Sequence, residues 1–218
     1  MSWRNRLIDF LETAEDRLSR HAAFLAGWLA VLWGLEWFDS VTASNLDQWG
    51  IQPHTWRGLT GVLVAPFLHA GFDHLAVNSV TLIALAWLTL LTGWHPFWIV
   101  TALAGWGGGV AIWLTAREGT THLGCSGLCF GYLGYLILHG VLKRSLPWLI
   151  LSAGVAIVYG TLVTGLLPKG GAEISWEGHL FGVLFGSLAA GITASGSPEP
   201  GAAQIADSGE TKSPGASK

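Results

Sequence analysis

The sequence predicts an all-α membrane protein: a bundle of six membrane-spanning helices preceded by an amphipathic helix and followed by a disordered tail. Three observations lead there. Hydrophobic residues make up 51% of the 218 and charged residues only 11%, against about 25% charged in an ordinary soluble domain. Six apolar stretches approach the roughly 20 residues a helix needs to cross the hydrocarbon core. Most of the basic residues then fall on one side of those stretches, which gives the bundle a single orientation. Six helices of that length leave little of the chain for a separate soluble domain.

Residues 1–21 place Trp3, Leu7, Leu11, Ala14 and Leu18 at helical spacing with charges between them, the pattern of a helix lying in the cytoplasmic interface. They hold no long apolar core or cleavage site and do not read as a signal peptide. The membrane domain covers residues 22–193. Its first span is expected over 22–38, with Glu36 near the outer end, and a long loop rich in Trp, Pro and His follows over 39–73. That loop is expected to fold against the bundle or into the interface. Spans two and three are expected over 74–92 and 96–115, separated by the turn at TGWHP. The loop AREGTTHLG leads into span four, 126–142, which stops before Lys143 and Arg144. Span five covers 147–167 and is broken by Pro168, Lys169, Gly170 and Gly171; span six covers 177–193. Residues 194–218 turn to Gly, Ser, Pro and Ala with scattered charge, too poor in large apolar residues to fold, and are expected to be a disordered cytoplasmic tail. With both termini inside, Arg4, Arg6, Arg17, Arg20, Lys143, Arg144, Lys212 and Lys218 lie inside and Arg57, Arg117 and Lys169 outside, as the positive-inside rule requires.

The chemistry centres on THLGCSGLCFGYLGYL, residues 121–136, where Ser126 sits between Gly124 and Gly127 as a polar loop becomes an apolar helix. Two readings are open on this stretch alone. Serine and glycine serve helix packing in membranes; small neighbours also let a substrate backbone approach a nucleophilic hydroxyl. The hydrolase elbow GxSxG is not present, because Leu128 stands at its last position. A nucleophilic serine needs a base and oxyanion donors. His179 opens span six in WEGHLFGVLFG, and Gly182 and Gly186 lie below it at the spacing that also relates Gly127 to Gly131, a pairing that lets two helices approach closely. His74 and Asn78 lie four apart at the start of span two and share a helix face. All four polar residues fall at outer helix ends.

Other chemistries fit worse. The chain has no HExxH, no aspartate within an expected span, and one acid, Glu36, well inside one. Serine chemistry calls for no cofactor and no metal. Cys125 and Cys129 read as packing residues. His21, His54, His95, His122 and His139 are expected to be solvated, while His69 lies close enough to His74 to join its cluster. A net charge of −3 points to no nucleic-acid partner.

At these residues the chain resembles the rhomboid intramembrane serine proteases, over residues 22–193. GCSGLCFG matches the family's GxSG motif, HLAVN its HxxxN motif, HLFGVLFG its histidine followed by GxxxG, and Trp56 with Arg57 the WR pair of its first outer loop. The resemblance implies a six-helix bundle with a cavity open to the outer side, Ser126 as nucleophile and His179 as general base. It implies an oxyanion site from the His74 and Asn78 side chains and the Ser126 amide, Phe130 packed near the histidine, and Trp56 and Arg57 as loop anchors. It further implies membrane lipids and single-pass transmembrane substrates as partners, cut near the outer boundary, and a bacterial plasma-membrane location. The stretch RGLTGVLVAPFLH is a few residues longer than in the shortest relatives, and Cys125 stands where small residues are usual. The rival class is a silent relative that binds membrane clients, which has no need of Ser126, His179, His74 and Asn78 together. A small transporter would show internal repeats, and none is evident.

Overall fold

A computed structural model describes residues 3–161, 166 and 175–195. The expected end of span five, the Pro168 break and the tail beyond 195 lie outside the described residues. Among the described residues eight α-helices form: α1 (Trp3–Thr42), α2 (Trp56–Val64), α3 (Phe72–Thr92), α4 (Trp94–Thr101), α5 (Gly108–Thr115), α6 (Ser126–Lys143), α7 (Leu146–Tyr159) and α8 (Trp176–Ser195). No strand occurs among the described residues; Ile51 and His122 form one isolated antiparallel bridge. Among the described residues three helical stretches are long and apolar enough to cross a membrane: Leu11–Thr42, Phe72–Thr92 and Trp94–Thr115. In α6 and α8 glycine, serine and histidine dilute the apolar character, while α7 is apolar but short.

Local chemistry sets the helix ends. Gly71 and Gly93 flank α3 with φ of 101° and 125°, a region that glycine enters without a Cβ penalty. Pro147 lies in the first turn of α7, where a missing N–H breaks no helical bond. The interfacial helix and first span of the sequence reading form one unbroken rod, since nothing between Arg20 and Ala22 interrupts it. His21, expected to be solvated, is instead 1% exposed. Its ring lies at 89° to that of Trp87 and 75° to that of Trp94, the T-shaped arrangement that ring quadrupoles favour. His139 is likewise buried rather than solvated, stacked on Tyr135 and edge-on to Trp148. The long loop contains a 3-10 turn at Leu46–Trp49 and the short helix α2, which packs on α5.

Helix α6 is the centre of the molecule. Every residue from 128 to 136 is buried, so it is covered on all sides, by α3, α4, α7 and α8. Its buried hydroxyls are satisfied: Tyr132 bonds Thr101 at 2.7 Å and Tyr135 bonds Thr92 at 3.0 Å. The closest packing is between α6 and α8. A Cβ at Gly182 would collide with the Gly127 carbonyl, and one at Gly186 with the Gly131 carbonyl. The two GxxxG stripes therefore touch backbone to backbone. The third expected span is helical throughout but has a π-turn at Ala102–Gly107, a widening common at functional sites. Its Ala104 presses on Gly131, and Gly107 lies against the Phe185 ring, so the π-turn meets α6 and α8 at small residues.

Candidate active site

Ser126 is the first residue of α6, and the loop before it is held from several sides. The Gly124 N–H donates to the Ala65 carbonyl at 2.9 Å. Cys125 N–H donates to His69 Nε2 at 3.3 Å, and the same ring nitrogen lies 3.3 Å from Cys125 Sγ. Gly124 itself has φ of 107°, a conformation that strains any side chain. These contacts aim the Ser126 hydroxyl rather than leaving it to a mobile loop.

His179 lies in the first turn of α8, 8% exposed. Its Nε2 is 3.0 Å from Ser126 Oγ, within the reach of a base for the proton it removes. Phe130, one turn along α6, stacks on the imidazole with ring centroids 4.1 Å apart and planes 11° apart. The ring is thus fixed on one face by an aromatic and at one edge by the hydroxyl.

His74 and Asn78, one turn apart on α3, converge on Gly124. A Cβ there would lie 3.1 Å from His74 Cε1, 3.5 Å from its Nε2 and 3.9 Å from Asn78 Nδ2. A side chain there would push the His74 ring by a few tenths of an ångström, besides the strain of the positive φ. Asn78 Nδ2 is buried with no hydrogen-bond partner among the described residues, a costly arrangement that native sites keep for a reason. Ser126 opens α6, and the first N–H groups of a helix lack helical acceptors. Ser126 also lines a cavity of ≈ 40 Å³ with Gly105, Gly127, His122 and Ser175. That volume exceeds the roughly 10–15 Å³ a water needs, and the polar groups in its wall suit one.

Trp56 and Arg57 are not brought to this site. Trp56 opens α2 and is 84% exposed, and the Arg57 guanidinium stacks over Trp49 at 5.0 Å. Glu36 is buried on α1. His122 is a correction, for it is buried at 6% exposure rather than solvated. Its backbone pairs with Ile51 in both directions, at 2.8 and 2.9 Å, and its ring bonds Ser175 and Thr120. Burial holds its imidazole below the ordinary pKa, with Glu177 pulling the other way. Four residues before Ser126, it could have been noted for that proximity; Ser175 carried no signal in the sequence.

Fold and site define a helical membrane protein with a serine and a histidine hydrogen-bonded between two tightly packed helices. The family profile of the Rhomboid domain matches residues 52–196. The chain belongs to the rhomboid family of intramembrane proteases. Among its relatives, an uncharacterized protein of Mycobacterium tuberculosis is 37% identical over 170 residues, 75% of this chain and 71% of the relative. An uncharacterized Mycobacterium leprae protein is also 37% identical over 170 residues, covering 75% of this chain and 67% of the relative. YdcA of Bacillus subtilis, named provisionally as a rhomboid protease, is 29% identical over 186 residues, 79% of this chain and 87% of the relative.

Proposed function

We propose that the chain is an intramembrane serine endopeptidase that cleaves single-pass membrane proteins near the outer membrane boundary through a Ser126/His179 dyad. The observation that carries this is the 3.0 Å contact between Ser126 Oγ and His179 Nε2 beneath the Phe130 ring. With the serine O–H donating to Nε2, the ring's own proton sits on Nδ1. Ser126 attacks the peptide carbonyl as Nε2 takes its proton. The tetrahedral oxyanion is held by Asn78 Nδ2, the His74 ring and the Ser126 N–H. Collapse of this intermediate passes the Nε2 proton to the leaving amine. Water then enters, gives a proton to Nε2, attacks the acyl-enzyme and restores the serine. The cavity beside Ser126 supports the delivery of that water.

In the arrangement we propose, α6, α7 and α8 complete a six-span bundle with α1, α3 and the α4–α5 rod. Both termini are cytoplasmic, the protein lies in a bacterial plasma membrane, and the site faces the outer leaflet. The charge distribution of the loops supports this orientation. Trp56 and Arg57 anchor the first outer loop at the interface. The test is cleavage of a fluorogenic transmembrane peptide by the detergent-purified protein, beside Ser126→Ala and His179→Ala. The parent should cut and both variants should not. Equal cutting by the parent and Ser126→Ala refutes the nucleophile. No cutting, with no labelling of Ser126 by a serine-reactive probe, favours a silent client-binding protein.

A further inference from the structure

The first turn of α8, which carries His179, is tied to the loop that carries Ser126 by a chain of hydrogen bonds that the dyad does not use. The Thr120 hydroxyl donates to the Arg117 carbonyl at 2.6 Å. Its oxygen therefore accepts from His122 Nε2, 2.8 Å away. That places the proton of the neutral imidazole on Nε2 and leaves Nδ1 as an acceptor. Nδ1 is 2.6 Å from Ser175 Oγ, so the Ser175 hydroxyl donates to it. Ser175 Oγ in turn accepts the Gly178 N–H at 3.2 Å, and the Ser175 carbonyl accepts the His179 N–H at 3.3 Å. Ser175 is thus the cap of α8, and its hydroxyl donates to His122 Nδ1 only while that nitrogen is unprotonated. His122 itself is anchored by its two backbone bonds to Ile51.

We propose that His122 and Ser175 form a positioning latch, in which the His122 ring orients the Ser175 cap and the cap sets the height and rotation of His179 over Ser126. The proposal rests on the dyad reading above. It assigns a further role to two residues that touch no reacting atom in that mechanism. Protonating His122 makes Nδ1 a donor, so the serine O–H must turn to another acceptor and its oxygen must accept from Nδ1–H and the Gly178 N–H together, which re-sets the geometry of the cap. The charged group facing the ring is Glu177 on α8; Thr120 and the Arg117 carbonyl face it from its own loop, Ser175 from the start of α8, and the apolar Ile51 from the first outer loop. The latch therefore couples the alignment of the base to pH.

The test compares cleavage of a fluorogenic transmembrane peptide by the parent, Ser126→Ala, His122→Ala, His122→Asn, Ser175→Ala and the His122→Ala/Ser175→Ala double variant. The Asn78 and His74 positions stay native throughout. His122→Ala and Ser175→Ala should each lower kcat about tenfold, short of the roughly 10²-fold of a 1 Å misplacement, with little change in KM. The double variant should be no slower than either single one, because both cut the same chain. Asparagine offers an acceptor near the Nδ1 position, so His122→Asn should recover most of kcat. It should also lose part of the acid limb of the kcat profile, which a merely structural role would not alter. A parental kcat in His122→Ala, multiplied losses in the double variant, no rescue by asparagine, or an unchanged acid limb in His122→Asn each overturns the latch. A parent no faster than Ser126→Ala refutes the dyad and the latch together; an active parent beside a fully active His122→Ala refutes the latch alone.

Discussion

Replacing Gly186 with alanine adds one methyl group far from the chemistry and should disable it. A Cβ at this position would meet the backbone of Gly131: its carbonyl oxygen, its carbonyl carbon at 2.6 Å and its Cα at 2.8 Å. Carbon atoms in favourable contact lie about 3.5 Å apart or more, so the carbonyl carbon alone requires the helices to separate locally by at least about 0.9 Å, and the oxygen lies closer still. None of these atoms belongs to a side chain that can rotate away. If α8 moves as a rigid rod along the line of the dyad, the Ser126 Oγ to His179 Nε2 distance grows from 3.0 Å to at least about 3.9 Å, beyond the roughly 2.6–3.2 Å of a working base. Turnover should fall about 10²-fold, and stability should drop by about 1–3 kcal/mol from overpacking. The assay is peptide cleavage in detergent together with thermal unfolding. Gly154→Ala on α7 is the control, since nothing lies within 4 Å of its added Cβ. Parental turnover in Gly186→Ala would show that the α6–α8 contact does not set the dyad distance.

Three further outcomes follow from the same geometry. Asn78→Ala should lower kcat by about 10²- to 10³-fold without loss of thermal stability, since the amide has no partner to lose among the described residues; a variant at the parental rate removes Asn78 from the oxyanion site. Phe130→Leu gives up the stacked contact with His179 and should slow cleavage by roughly 2- to 10-fold, the equivalent of about 0.5–1.5 kcal/mol for an aromatic pair; an unchanged rate would leave the stacking without a catalytic role. Burial lowers the His122 pKa, so the unfolded chain takes up a proton there at a higher pH than the native one. This contribution to stability is intact above the ordinary imidazole pKa of about 6.5 and declines as pH falls below it. Between pH 7.5 and 5 the parent should therefore lose more thermal stability than His122→Asn, and parallel losses would refute the assignment.

The residue types needed for the site were legible in the chain because their spacing is a local property. His74 and Asn78 share a face of α3 because four residues make about one turn. The glycines at 127, 131, 182 and 186 announce a close helix contact through the absence of side chains. What spacing could not show was any relation between distant segments. The unbroken α1, the π-turn inside the third rod and the burial of His21, His122 and His139 all depend on what the rest of the chain places beside them. His21 looks like an interfacial histidine until Trp87 and Trp94 are brought against it. Serine 175 looks like any loop hydroxyl until His122, 53 residues away, is set 2.6 Å from it.

By itself, the sequence determined a helical chain for a membrane, the positions of most helix ends, and a set of residues able to perform serine chemistry. Hydrophobicity, glycine spacing and positive-φ turns act over a few residues, and each can be read one segment at a time. Tertiary structure alone decided that Ser126 and His179 meet at 3.0 Å, that Gly124 lies beside both His74 and Asn78, and that Ser175 caps the helix of His179. Those distances arise from the backbone contact of α6 with α8, and a contact between segments some fifty residues apart is fixed by the packing of the whole bundle.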